Sequence, residues 1–163
     1  MIGSLTYDDY KELFETNQLY SKNKFIEQLQ PSSMDLSLSG ECYEIRYSFL
    51  SPYEKVREKL NSVIIKEIDL NTSQVFKKNK TYLVKLNEKL NLSNSIKGFC
   101  NPKSSTGRLD IFCRTILDNC NEYEKIPLNY NGEIFIEITT RSFDIEFIKG
   151  DRLNQMRLVY NNN

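Results

Sequence analysis

Lys103-Ser104-Ser105-Thr106-Gly107-Arg108-Leu109-Asp110 brings two cations, adjacent hydroxyls and a glycine together in a very short stretch. A segment of this composition can open a short helix, where free backbone N–H groups and hydroxyls receive phosphate oxygens and the flanking bases neutralise them. About one strand later, Gly132-Glu133-Ile134-Phe135-Ile136-Glu137 sets a carboxylate into an apolar run, the placement of a candidate general base. Together they point to water attacking a phosphorylated substrate. Each has a plainer reading as well. The first is also an N-cap and turn with two solvated bases. In the second, alternation puts Ile134, Ile136 and Ile138 on one face and Glu133, Phe135, Glu137 and Thr139 on the other, so that Glu137 points at solvent unless both faces are covered.

Other chemistries are excluded by what is missing. The chain has no histidine, and Cys42, Cys100, Cys113 and Cys120 form no Cys-x-x-Cys pair. Histidine-activated serine or cysteine nucleophiles and the usual zinc sites therefore have no residues to build them. The cysteines read as small buried hydrophobes. Carboxylates, hydroxyls, Lys, Arg, Tyr or a bound cation remain to carry a reaction.

These residues need a scaffold, and 163 residues make one ordinary domain, 1–163, with a helical segment over about 1–29 and a β domain over about 30–160. Lys+Arg and Asp+Glu both total 22, so no global field holds the chain on DNA, RNA or an anionic membrane. The acidic first residues do not read as a secretory signal, and no apolar run approaches the roughly 20 residues of a membrane span. A soluble, cytoplasmic protein is expected.

Thr6 with Asp8 and Asp9 caps a predicted helix over residues 6–17, with Tyr10, Leu13, Phe14 and Leu19 near helical spacing. A second short helix fits residues 51–62, where Tyr53, Val56 and Leu60 share a face. After Pro31 the pattern turns to short alternating runs: residues 34–38, 43–49, 63–70, 82–86, 134–138, 143–148 and 156–160. The Asn-rich stretch 119–131 reads as a long surface loop, and Asn161-Asn162-Asn163 as a frayed end. The fold class is mainly β, a sandwich or barrel with an N-terminal helix.

Four segments occur in a telling order: Gln30-Pro31-Ser32-Ser33-Met34-Asp35-Leu36-Ser37-Leu38, the Ser-Ser-x-x-Arg segment, the Gly-x-x-x-x-Glu strand, and Lys149-Gly150-Asp151-Arg152-Leu153-Asn154-Gln155. In this order they resemble the dCTP deaminases, members of the trimeric dUTPase superfamily, over about residues 30–159. Asn101 to Asp110 and Ile45-Arg46-Tyr47-Ser48-Phe49-Leu50 resemble the first copy of long bacterial forms that carry two related copies in one chain.

The resemblance implies a dUTPase-like distorted β-barrel or jelly roll and hydrolysis of dCTP to dUTP and ammonia. It implies Glu137 as the proton-transferring carboxylate and Ser104 near the attacking water. Lys103, Ser104, Ser105, Thr106, Gly107 and Arg108 would contact the nucleotide, mainly its phosphates, while Phe135 and Ile136 lie along the base and Asp118 meets the sugar. Mg²⁺ would accompany the triphosphate, with no zinc. Partners would be a deoxycytidine nucleotide and either two further copies in a homotrimer, with sites between subunits, or a second related domain. Asp35 and Gln155 are expected to be structural, Asp35 needing a cationic or hydrogen-bonding partner.

The chain departs from the family pattern at three points: Lys103 stands where many members have Arg, the His-Arg-Ile-Asp-Pro-Gly run is replaced by Thr115-Ile116-Leu117-Asp118 and a longer loop, and a closing tail with Tyr, Lys and Gln is missing. Loss of such a lid is expected to lower turnover. Two alternatives to the deaminase stay open. One is a dUTPase-type pyrophosphatase; the other is non-enzymatic, either a silent nucleotide-binding half that needs a second copy or a nucleotide-sensing or partner-binding module with no turnover under any pairing.

Overall fold

The computed structural model describes residues 2–22, 25–93 and 95–161. In chain order its elements are β1 (Ile2–Ser4), α1 (Tyr7–Glu15), β2 (Leu19–Tyr20), a 3-10 turn (Phe25–Gln28), β3 (Met34–Asp35), β4 (Leu38–Ile45), α2 (Val56–Leu60), β5 (Ile64–Asp69), β6 (Gln74–Phe76), β7 (Thr81–Asn91), β8 (Ile96–Pro102), α3 (Ser104–Arg108), β9 (Ile111–Leu117), β10 (Lys125–Ile126), β11 (Asn131–Thr140), β12 (Ile145–Phe147) and β13 (Asn154–Asn161). The fold is mainly β with short helices, as expected.

The strands sort into sheets. One runs β1-β13-β8-β10 with β3 also on β13, a second runs β5-β4-β7-β11-β9 with β2 also on β7, and β12 pairs with β6. The expected barrel does not close among the described residues, because neither large sheet pairs its two edge strands with each other. The main core holds the inward residues of both large sheets, including Met156 and Leu158 from the first and Val84, Ile134, Ile136 and Ile138 from the second.

Helix α1 forms where the sequence signals it. Thr6 Oγ1 accepts from the Asp9 N–H while the Asp9 carboxylate accepts from the Thr6 N–H at 2.8 Å, a closed capping box. Its buried Tyr10 and Leu13 face the core, and the Tyr10 hydroxyl receives the Leu158 N–H of β13 at 3.0 Å. Leu19, expected on this helix, instead starts β2 and is buried there. Past α1, the segment expected to be helical holds only β2 and the 3-10 turn, while Met1, Asn23 and Lys24 lie outside the described residues.

The second helix is shorter than its pattern. Val56 and Leu60 are buried, but Tyr53 lies before α2 at 95% exposure. The run expected over 43–49 is shifted, since β4 ends at Ile45. Strands β8 and β9 escaped the pattern because polar and small residues break their alternation. The stretch 119–131 is more than a surface loop: Cys120, Ile126 and Tyr130 are buried and β10 pairs with β8. Asn161 pairs with Ile2 at the end of β13; Asn162 and Asn163 lie outside the described residues.

Below the second sheet sits a smaller core in which Ile45, Val56, Leu60, Leu83, Ile116 and Phe135 meet. This cluster covers the face of the sheet that simple alternation would leave to solvent. It decides where Glu137 ends up.

Candidate active site

Strand β11 lies between β7 and β9, with Glu137 opposite Leu83 on one side and Arg114 on the other. Its even-numbered isoleucines fill the main core, and Phe135 joins the smaller one on the opposite face. Glu137 shares that face with Phe135 and is only 1% exposed, so it does not point at solvent. Its Oε2 accepts a 3.3 Å hydrogen bond from Arg114 Nε, and its buried Oε1 has no hydrogen-bond partner among the described residues. A buried carboxylate with one idle oxygen is costly unless something else comes to use it.

Arg114 is the other half of this arrangement. Its guanidinium lies 3.6 Å from the centre of the Tyr123 ring and 5.1 Å from that of Phe112, and its side chain is 28% exposed. Apart from the contact with Glu137, it makes no hydrogen bond or ion pair within the described residues. The sequence held a signal for this residue: a lone cation among apolar side chains in residues 111–117 asks for a carboxylate. Finding that carboxylate required the β9–β11 register.

The other end of the same face is fixed by charge. Arg57 of α2 donates to Glu41 at 2.6 and 3.0 Å and to Glu133 at 2.6 and 2.9 Å, and Lys85 approaches Glu133 at 3.3 Å. The Arg57 guanidinium lowers the Glu133 carboxyl to about 2, and the two carboxylates in turn raise the guanidinium. Arg57 also lies 5.5 Å from the Phe135 ring centre, so α2 is both packed and tethered over β11.

Asp118 is nearly buried at the end of β9, where its Oδ1 accepts the Val56 N–H at 2.9 Å and burial raises its carboxyl. Gly132 faces it closely: a Cβ there would lie 2.8 Å from the Tyr130 hydroxyl and 3.0 Å from Asp118 Oδ2. That hydroxyl receives the Asp118 N–H and donates to the Glu133 carbonyl at 2.5 Å. The glycine of the Gly-x-x-x-x-Glu segment therefore serves close packing at the start of β11.

The Ser-Ser-x-x-Arg segment forms α3, between β8 and β9. Lys103 caps it, but its Nζ is engaged by buried Asp35 at 2.6 Å, with Arg152 3.6 Å from the same carboxylate. Asp35 thus has the cations its burial demands, as expected, and Gln155 lies opposite it across β3 and β13. Thr106 is buried, donating to the Leu153 carbonyl at 2.6 Å. Ser104, Ser105, Gly107 and Arg108 are exposed, and their side chains form no hydrogen bond or ion pair within the described residues. This is an open cradle anchored from beneath.

The expected site residues therefore fall into three places. Glu137 and Phe135 share one covered face, with Asp118 packed at the end of the adjacent strand; Ser104, Ser105, Gly107 and Arg108 lie on open α3, with Lys103 and Thr106 as its anchors. Ile136 is in the main core, on the opposite face from Glu137. No hydrogen bond or ion pair joins α3 to Glu137 among the described residues. All four cysteines are free and buried, and burial raises the thiols of Cys42 and Cys113 to about 12, out of the range of a neutral-pH nucleophile.

Residues 1–162 match the family model described as the 2'-deoxycytidine 5'-triphosphate deaminase (DCD) N-terminal domain. Among solved structures, the 2'-deoxycytidine 5'-triphosphate deaminase from Agrobacterium tumefaciens is similar at 39% identity and a TM-score of 0.94, over 98% of this chain and 49% of that one. The chain thus spans about half the length of that relative. More distant is the native dUTPase of EIAV, at 14% identity and a TM-score of 0.47, over 100% of this chain and 91% of the other. No curated protein matches.

Proposed function

The chain belongs to the family of 2'-deoxycytidine 5'-triphosphate deaminase N-terminal domains, and from that premise we propose that it acts in the hydrolytic deamination of dCTP to dUTP and ammonia. The observation that carries this reading is Glu137, a buried strand carboxylate with an idle Oε1. Such a group can take a proton from water as hydroxide adds to C4 of cytosine, then hand that proton to N3. A second proton, from the new C4 hydroxyl, passes through the same carboxyl to the amino group. The C4–N bond breaks, a C4 carbonyl forms and ammonia leaves. General acid–base catalysis of this kind contributes on the order of 10² to 10⁴ in rate.

The phosphates fall to α3. Ser104, Ser105 and the N–H groups opening the helix donate to phosphate oxygens, and Arg108 supplies an uncommitted cation. Lys103 holds the cradle to Asp35 rather than reaching freely outward. Mg²⁺ comes as part of the substrate, chelated by the triphosphate. Because no hydrogen bond or ion pair joins α3 to Glu137 among the described residues, the reading has the cradle of one subunit serve the carboxylate of another, in a homotrimer or with a second related domain in a soluble, cytoplasmic assembly.

The test is to incubate the assembled protein with dCTP and Mg²⁺ while following ammonia and dUTP, beside Glu137→Gln. Turnover that vanishes in the variant supports Glu137 as the proton shuttle. Undiminished turnover in the variant removes it from that role. A second reading, a nucleotide-binding half that is silent by itself, draws support from the Arg114 contact that covers Glu137. It is distinguished by nucleotide binding without ammonia release.

A further inference from the structure

The proposed chemistry requires a base and a water at Glu137, yet the carboxylate is sealed. The seal is specific. Tyr123 stacks on the Arg114 guanidinium, and Arg114 Nε bonds Oε2, while both side chains are partly exposed. We propose that Arg114 is a built-in occupant of the base subsite, displaced by cytosine and returning when uracil is formed; the proposal rests on the deaminase reading of Glu137.

The chemical argument begins with shape. A guanidinium presents planar N–C–N donors to a carboxylate. The N3–C4–N4 edge of cytosine has the same N–C–N outline, and with one proton shared between N3 and the carboxyl it can engage both carboxylate oxygens. Arg114 engages only one, at 3.3 Å, the long end of the hydrogen-bond range, and the other oxygen is idle. Arg114 is therefore a weaker occupant than the base that resembles it. Its remaining nitrogens make no other hydrogen bond or ion pair among the described residues, so leaving Glu137 breaks one hydrogen bond and the contacts of the guanidinium with the Tyr123 and Phe112 rings.

Departure of Arg114 without a replacement would leave a buried, unpaired carboxylate, a costly state. The seal therefore opens chiefly when a ligand supplies the missing donors. Deamination replaces the C4 amino donor by a carbonyl acceptor, which repels the carboxylate. Arg114 then becomes the better occupant again, favouring product release. The discrimination between the two bases comes from their groups facing Glu137, and the waiting side chain lowers the hold on both, which favours release of the weaker-held product. It also positions Glu137 while the site is empty, making Arg114 a positioning residue rather than a catalytic one.

The experiment measures Mg²⁺–dCTP and Mg²⁺–dUTP binding by calorimetry and dCTP turnover in the assembled wild type, in Arg114→Ala and in Tyr123→Ala, each checked for folding by its melting curve. Removing an occupant that must first be displaced tightens binding by the reciprocal of the open fraction, here about tenfold for both nucleotides in Arg114→Ala. Tyr123→Ala removes only the stacking wall and is expected to tighten binding about two- to threefold. If Arg114→Ala does not fold, Tyr123→Ala decides by itself. In an active wild type, stronger product inhibition by dUTP in the variants also supports the proposal. Unchanged or weaker dCTP binding in the folded variants overturns it, weaker binding marking Arg114 as a direct base contact. Tighter binding with no turnover in any protein keeps the occupant and sinks the deaminase reading; turnover with unchanged binding does the reverse.

Discussion

The two parts of the candidate site are built in opposite ways. Around α3 the functional groups are outside and the supports are inside: Asp35, Thr106 and Leu153 fix the helix from beneath, leaving Ser104, Ser105 and Arg108 in water. Around β11 the functional group is inside. Glu137 is buried on the face of β11 that carries the smaller apolar cluster, and its cation, Arg114, is the part that reaches toward solvent. A phosphate cradle can stay hydrated because the charges it meets are strong and remain accessible. A proton-shuttling carboxylate gains from losing water, since a dry site sharpens every interaction with the reacting base. Openness suits binding and closure suits chemistry.

Substitutions test this contrast directly. The largest effect is expected at the closed end: Glu137→Gln lowers kcat by about 10² to 10⁴ with little change in dCTP affinity, read from ammonia release and calorimetry. Arg108→Ala, at the open end, is expected to raise KM about 10- to 100-fold, the worth of a charge-assisted phosphate contact. Because the Arg108 side chain has no hydrogen-bond or ion-pair partner among the described residues, the melting curve of this variant should scarcely move. A large loss of stability there, or a loss confined to kcat, would break the comparison.

Stability effects should concentrate at the closed end. Arg57→Ala removes the guanidinium that bridges the two carboxylates, leaving Glu133 with Lys85 and Glu41 with the Tyr43 hydroxyl, and is expected to cost about 1–2 kcal/mol in urea unfolding, a figure kept low because the groups are partly exposed. Its pH dependence has a definite sign. Glu133 is depressed to about 2, so its contribution is present above the unfolded carboxyl value and is lost as pH falls toward 2. In Arg57→Ala that acid-induced loss should shrink, measured as the change in urea midpoint with pH.

Glu88 behaves the other way. It is fully buried, accepting from Ser21, Gln28 and both the N–H and hydroxyl of Ser37, and burial raises its carboxyl against the pull of these donors. A raised carboxyl stabilises most below its unfolded value and loses ground as pH rises through the folded one. Glu88→Gln, which cannot ionise, should therefore gain stability relative to the wild type as pH rises from about 4 toward neutrality, read from parallel melting curves. The smallest effect is expected at Ser105→Ala, where loss of one exposed hydroxyl donor should raise KM only a few-fold, about 0.5–1.5 kcal/mol.

Legibility followed the same divide. The α3 cradle was readable because its residues are contiguous, and the capping box of α1 because Thr6 and Asp9 are three apart. Glu137 was readable as a candidate, but its alternation alone predicted exposure. What reversed that was the cluster formed by Val56, Leu60 and Ile116 from distant segments, whose packing no local period encodes. Arg114 was missed for the same reason: its partner is 23 residues away and becomes adjacent only through the β9–β11 register. Lys103 was expected at the nucleotide, and the structure ties it to Asp35, 68 residues earlier in the chain.

By itself, the sequence determined the mainly β class, the capped first helix, the absence of histidine chemistry and the presence of both a hydroxyl-rich segment and a strand carboxylate. These depend on residue type and short spacing, which act locally. Only the tertiary structure decided that the sheets stay open, that both faces of β11 are covered, and that Glu137 is sealed by Arg114 and Tyr123. Each of those depends on contacts between segments far apart in the chain, where strand register and shared burial, rather than local propensity, set which groups meet.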